Sequence, residues 1–410
     1  MDIIADLHIH SRYSRACSKS ITLANLEKYA RIKGINLLGT GDFLHPKWNK
    51  EIKENLREDE KGILWSKTNF PFLWQTEISL MYSDGKRRAV HLVMLSPGKE
   101  VTDQIIDVLG KRFRIDYDGR PIFGISSPEF VELMKGIDDK IEIIPAHSMT
   151  SWFGFLGSKS GFDSLKECFK EKANKIYAIE SGMSADPQML YRLKENVNIV
   201  SFSDSHSFWP FRLGREATIF DIKELTYDNA IKAIRTGNGL KATVEVFPAY
   251  GKYHVDGHRN CNFSCSYEES MKLNKICPVC KKELTIGVEY RIEELAKEKE
   301  GFKPDNAKET FEVIPLQEVI AAVYGISQMN SKKVLEIYNH LMSAFGNEFN
   351  VLLRASFDEL KKVVDERLAM VIIMNRNNEI KIKPGYDGVY GIPIINKENL
   401  IKHQRSLKEF

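Results

Sequence analysis

Over the first 220 residues, short apolar runs alternate with amphipathic stretches. The runs Ile3–His10, Asn36–Asp42, Phe72–Met81, Arg88–Leu95, Ile141–His147, Ile176–Ser181 and Ile199–Asp204 read as strands. Between them, Leu23–Lys33, Pro128–Lys135, Ser164–Lys172 and Pro187–Glu195 carry apolar residues at helical spacing. Such alternation predicts an α/β fold, either a βα barrel or a doubly wound sheet. The polar positions separate the two. His8 and His10, Asp42 with His45, Glu77 with His91, His147, Glu180, and Asp204 with His206 all lie in or near strand candidates, mostly at their C-terminal ends. A barrel gathers many strand ends around one point, and that face is where barrel sites lie.

A second segment, about 240–290, opens with Phe247-Pro248-Ala249-Tyr250-Gly251 and carries paired cysteines. A charged helix is expected near Ile292–Glu300, then a helical region from Leu316 to about Lys362. A short β-like tail, Val371–Ile382, leads to the turn-rich Gly385-Tyr386-Asp387-Gly388-Val389-Tyr390-Gly391. These shifts divide the chain at 1–240, 241–290, 291–400 and 401–410. A length of 410 residues accommodates two or three domains. Apolar residues at 43% supply a core, and the net charge of +3 neither requires nor excludes nucleic acid. No apolar run approaches the roughly 20 residues that span a membrane, and no signal-peptide pattern precedes the first strand. A cytoplasmic, nucleoid-associated monomer is the expectation.

The chemistry lies in the imidazoles and carboxylates. On a strand, alternate His8 and His10 point to one face, which suits a metal better than an apolar core. Buried polar groups cost free energy unless satisfied, so this many together argue for divalent cations. Mixed imidazole and carboxylate donors suit zinc, with magnesium or manganese as alternatives. Cys261-x3-Cys265 and Cys277-x2-Cys280 have the spacing of a closed four-thiolate zinc site, which is structural. His254 and His258 are spare donors, and the neighbouring Arg259, Lys281 and Lys282 tilt the unit towards phosphate.

Asp-Leu-His-Ile-His followed by Ser-Arg-Tyr-Ser, with Glu77, His91, His147 and Asp204-x-His206, resembles the polymerase-and-histidinol-phosphatase (PHP) superfamily over roughly residues 1–220. The resemblance implies a distorted (β/α)7 barrel that binds two or three metals and hydrolyses phosphoesters. It implies His8, His10, Glu77 and Asp204 at a first metal. Glu77 would bridge to a second that takes His91 and His147. His45 and His206 would contribute to a third, with Asp42 either ligating or orienting. The catalytic set is then His8, His10, Glu77, Asp204 and His206, with a metal-bridging hydroxide as nucleophile. The chain departs from the pattern at Ser14, Arg15 and Ala16, where many members have another histidine, and at the stretched Asp42-Phe43-Leu44-His45.

With the cysteine unit and the helical C-terminal region added, the whole chain resembles the endonuclease Q family. That resemblance implies nicking of single- or double-stranded DNA on the 5′ side of uracil, hypoxanthine, xanthine or an abasic site. An enzyme that inspects one base must extrude it, stack it and fill the gap. Trp152, Phe153, Phe155 and Lys159, in a glycine-rich loop after His147, are candidates for this, as are Glu180, Tyr386, Asp387 and Tyr390. Gln404, Leu407 and Phe410 fit a sliding-clamp-binding peptide. Two alternatives are a histidinol-phosphatase-like small-molecule phosphatase, which leaves the zinc unit without purpose, and a non-catalytic DNA-binding scaffold, which predicts a decayed ligand set.

Overall fold

A computed structural model describes residues 1–395. The expected clamp-binding residues Gln404, Leu407 and Phe410 lie outside the described residues.

The main sheet is built around Asp2–Asp6, which pairs parallel with Leu37–Gly39 and antiparallel with Ala217–Asp221. Leu37–Gly39 runs parallel to the start of Pro71–Asp84. Pro71–Asp84 forms a long antiparallel hairpin with Lys86–Ser96, turning at Gly85 (φ +68°), where a glycine carries no Cβ penalty. Lys86–Ser96 pairs with Glu142–Pro145. A two-stranded sheet, Ala178–Glu180 with Asn198–Val200, continues the path. Backbone hydrogen bonds join its flanks to both neighbours. Ser148 N donates to Glu180 O (2.9 Å) and His10 N donates to Ser205 O (2.9 Å). The two-stranded sheet thus lies between segments of the main sheet's path, and antiparallel pairs interrupt the βα alternation.

Helix Leu23–Lys33 forms where the spacing predicts it. Thr22 caps it by accepting from Asn25 N, Gly34 ends it at φ +102°, and Leu23, Leu26 and Ala30 turn inward. Helices Pro46–Asn55 and Lys99–Arg112 were not anticipated. The β-like tail is corrected: Val371 lies inside helix Glu366–Arg376, and the strand is only Lys381–Lys383. The expected division at residue 241 falls within strand Leu240–Glu245, which pairs with Ala217–Asp221. Glu309–Glu312 also joins that strand, so the C-terminal segment contributes to the main sheet.

The C-terminal helices are anchored by a buried ion pair. Lys33 Nζ lies 2.7 Å from Glu348 Oε1 and also donates to Pro210 O. Glu348 accepts from Leu316 N and Tyr338 Oη as well. Both carboxylate oxygens are engaged, which is what a charge removed from water requires. No helix among the described residues is long and apolar enough to cross a membrane.

Candidate metal centre

Leu7 and Ile9 face the apolar core, while His8 and His10, one residue out of phase, face a polar centre; none of the four is exposed. His10 Nε2 lies 3.0 Å from Glu77 Oε2 and 3.1 Å from Asp204 Oδ1. His8 Nε2 lies 3.5 Å from each of the same two oxygens. On the other side, Glu77 Oε1 is 2.8 Å from His91 Nδ1 and 3.3 Å from His147 Nε2. The hairpin register explains this meeting. His91 stands opposite Ser79, so Glu77 is its diagonal neighbour on the same face. Two ligand groups result, His8/His10/Glu77/Asp204 and Glu77/His91/His147, each with donor atoms within 4.8 Å of one another. Glu77 gives one oxygen to each.

The groups around these donors hold them in place. Glu180 takes His8 Nδ1 at 2.9 and 3.0 Å and accepts from His147 N at 2.6 Å. Asp42 accepts from His10 Nδ1 at 2.9 Å, Ser11 N at 2.6 Å and Ser14 Oγ at 2.9 Å. Tying back Nδ1 leaves Nε2 of each imidazole facing the centre, the tautomer a metal ligand needs. His8 Nε2 is buried without a hydrogen-bond partner. Asp42, His147 and Asp204 sit at φ +39°, +32° and +46°, a backbone region costing of order 1–3 kcal/mol each. The donor types, the inward Nε2 atoms and the unpaired His8 nitrogen together fit divalent metals.

Of the two roles left open for Asp42, its bonds to His10 Nδ1, Ser11 N and Ser14 Oγ match the orienting one. Glu180 is fully buried with both oxygens engaged on ligand-bearing residues, so it is no lesion contact. His45 and His206 lie outside both groups. His45 precedes helix Pro46–Asn55 and stacks on Tyr13 with ring centroids 4.3 Å apart. His206 Nδ1 meets Asp204 O at 3.0 Å, and its ring lies 4.4 Å from that of His10.

Arg120 went unrecognised in the sequence. Its Nη1 lies 2.9 Å from Glu77 Oε2, and a lone arginine after Asp118-Gly119 carries no pattern. Gly119 is required beside it, because a Cβ there would overlap Asp42 Oδ2 and Ser14 Oγ. The local field is strong. Burial alone would raise the Glu77 carboxyl, but Arg120, His91 and His8 hold it well below its ordinary value. Burial would likewise lower His8, yet Glu180, Glu77 and Asp204 raise it well above. Burial carries His91 down to about 3, outweighing Glu77. Carboxylates thus crowd the imidazoles, and a cation is the natural counter-charge.

The four cysteines of the expected zinc site gather in one cluster, Cys265 and Cys277 with Cys261 and Cys280 against them, and His258 joins it. His258, Cys261, Cys277 and Cys280 come together, with His258 Nδ1 3.1 Å from Cys261 Sγ and 3.3 Å from Cys280 Sγ. Cys265 packs in the same cluster but falls outside that closest group of four donors. It lies opposite Asp256 in the ladder Asp256–His258/Phe263–Cys265, two residues or roughly 6–7 Å along from His258. Three thiolates and one imidazole suit a closed tetrahedral zinc.

The expected lesion contacts also separate. Trp152 is 49% exposed. Phe153 is half-buried, stacks on His91 with centroids 4.3 Å apart, and its carbonyl accepts from His91 N. Lys159 is half-buried. Phe155 has no exposure and packs in the core, so it is not a base contact. Asp387-Gly388 is a two-residue turn with both φ positive, closed by Tyr386 and Val389. Tyr386 is buried and its hydroxyl donates to Asn262, while Asp387 accepts from Arg259 N. Both dock the hairpin onto the cysteine unit. Tyr390 remains half-buried beside Arg212 and Lys252.

The MJ0043 C-terminal domain family matches residues 315–379. The chain is 33% identical over 240 residues to the uncharacterized protein MJ0043 of Methanocaldococcus jannaschii, a stretch covering 56% of this chain and 29% of that relative. It is 28% identical over 412 residues to the uncharacterized protein YqxK of Bacillus subtilis, covering 95% and 98%. The crystal structure of a lesion-specific endonuclease from Pyrococcus furiosus superposes with a TM-score of 0.87, at 31% identity and 99% coverage of both chains. A structure of endonuclease Q with a 27-mer duplex bearing an abasic lesion superposes with a TM-score of 0.88, at 32% identity, covering 97% and 98%.

Proposed function

The chain belongs to the endonuclease Q family, and we propose that it repairs DNA by hydrolysing the phosphodiester 5′ of a uracil, hypoxanthine, xanthine or abasic site with a multinuclear metal centre. The observation that carries this reading is Glu77, whose two oxygens face two separate ligand groups. A distorted barrel of the PHP type would present both groups at the strand ends.

His8, His10, Glu77 and Asp204 would hold one metal, and Glu77, His91 and His147 a second; His206 and His45 border space for a third. The chemistry such metals supply when bound is a lowered pKa for water and stabilisation of charge on phosphate oxygens. The remaining work belongs to the chain. Glu180 and Asp42 fix imidazole tautomers. Arg120 keeps Glu77 ionised and presents its other guanidinium nitrogens beside the centre, where a phosphate oxygen needs donors. Trp152, exposed on the loop after His147, would fill the gap left by an extruded base, with Phe153, Lys159 and Tyr390 as further contacts to the lesion strand. The cysteine unit would hold one structural zinc. Damaged DNA is the partner, acted on by a monomer in the cytoplasm. The clamp-like peptide would tether the enzyme to replication.

The test is a panel of duplexes, each with one uracil, hypoxanthine, xanthine or abasic site, incubated with protein and Mg²⁺ or Mn²⁺ beside undamaged duplex. A nick on the 5′ side of the lesion alone is expected. Intact DNA throughout, with phosphate released from a small phosphomonoester, would overturn the reading in favour of a phosphatase.

A further inference from the structure

The Asp204 loop meets the C-terminal hairpin through a group of cations that the proposed hydrolysis does not use. Arg215 is buried, and its Nε and Nη2 donate to Ser203 O at 3.2 and 3.0 Å, one peptide before Asp204. Its Nη1 is buried with no partner at hydrogen-bond geometry, and the guanidinium faces the Tyr390 hydroxyl. In front of it stands Tyr390, whose ring lies 5.0 Å from the Arg212 guanidinium and 4.6 Å from Lys252 Nζ.

Direct carboxylate partners are few there. Among the described residues, Arg215 and Lys252 make no ion pair with a carboxylate. Arg212 has Glu318 at 3.3 Å, and Glu318 is shared with the Tyr250 hydroxyl. Glu216, the neighbour of Arg215, is pushed up by burial to about 8 and so brings little negative charge at neutral pH. Burial would raise the Tyr390 phenol, yet Arg215, Arg212 and Lys252 lower it, as a net positive enclosure should. Glu216, Asp204 and Glu318 act on Arg215 without a direct ion pair, and a buried donor left unmade is costly.

We propose that Arg215, Arg212, Lys252 and the Tyr390 hydroxyl form an anion subsite that takes a DNA backbone phosphate flanking the one that is cut. Three converging cations and a phenol match a tetrahedral oxyanion. The attachment of Arg215 to Ser203 O sets the spacing between this phosphate and the metal loop. Because the hairpin supplies Tyr390, DNA bound here closes the C-terminal segment against the sheet. The inference rests on the nuclease reading, and it assigns a role to a hairpin whose Tyr386 and Asp387 serve only to dock it.

A methylphosphonate scan tests it. Each phosphate of the lesion strand is made neutral in turn, and binding is followed by fluorescence anisotropy in Ca²⁺ for the wild type and for Lys252→Met, a half-exposed position that leaves the buried arginine in place. One linkage near the lesion should weaken wild-type binding, and Lys252→Met should lose sensitivity at that linkage only. The slope of log affinity against log salt should fall by roughly one in the variant. A wild type that nicks lesions while Lys252→Met shows the same scan and the same slope would overturn the subsite alone. A wild type that neither binds nor nicks lesion DNA would overturn the nuclease reading and the subsite with it.

Discussion

Replacing Glu180 should uncouple the metal centre without touching a ligand. Its carboxylate bonds His8 Nδ1 twice, at 2.9 and 3.0 Å, and holds His147 N at 2.6 Å, so one side chain secures a residue from each ligand group. Loss of a partner behind one ligand typically lowers metal affinity or activity by about 10–100-fold. Glu180 serves both groups and is fully buried, so Glu180→Ala belongs at the upper end, about 100-fold or roughly 2.7 kcal/mol. Glu180→Gln keeps one acceptor for His8 Nδ1 but replaces the oxygen at His147 N with an amide that cannot accept. It should lose only about tenfold. The assay is nicking of an abasic duplex titrated with Mn²⁺ after chelation. The metal midpoint should shift for both variants in that order, with KM for DNA little changed. An unchanged metal midpoint with a raised KM would refute the reasoning and return Glu180 to the lesion contacts expected from sequence.

Other outcomes follow from the same geometry. Cys265→Ala should keep its zinc, whereas Cys277→Ser should lose it, as read by zinc per chain after gel filtration. Lys33→Met leaves Glu348 buried and unpaired and should cost about 3–5 kcal/mol of stability in thermal unfolding, while adding Glu348→Met should restore much of it. Gly119→Ala should drive Asp42 from His10 and lower nicking strongly while the circular dichroism spectrum stays unchanged. Arg120→Lys, which loses the forked geometry but keeps the charge, should lower kcat more than it raises KM for DNA.

Much of the centre was legible because period-two alternation is a local signal. Leu7 and Ile9 against His8 and His10 declare two faces whatever surrounds them. Orientation roles were only half legible, since Asp42 could be ligand or orienter and Glu180 a lesion contact until their hydrogen bonds are seen. Strand ends were drawn too long for a related reason. Asp42, His147 and Asp204 leave the ladder at positive φ, a backbone choice the apolar pattern does not encode. Cysteine spacing brought the four thiols together correctly, but gave no sign that a short hairpin carries His258 into the same cluster. The Val371 stretch was misread because Glu366–Arg376 is buried almost all round, which erases helical periodicity. Arg120, a single residue from a loop, left no trace before folding.

The central claim is that the Glu77-bridged cluster cuts DNA beside a lesion. The most direct measurement combines metal content and nick mapping on one preparation, for the wild type, Glu77→Gln and Asp204→Asn, with a duplex carrying a single abasic site. The account expects the wild type to hold at least two metals beyond the cysteine-bound zinc and to nick on the 5′ side of the lesion, and both variants to lose metal and nicking together. A variant that loses its metal yet still nicks at that position would contradict it.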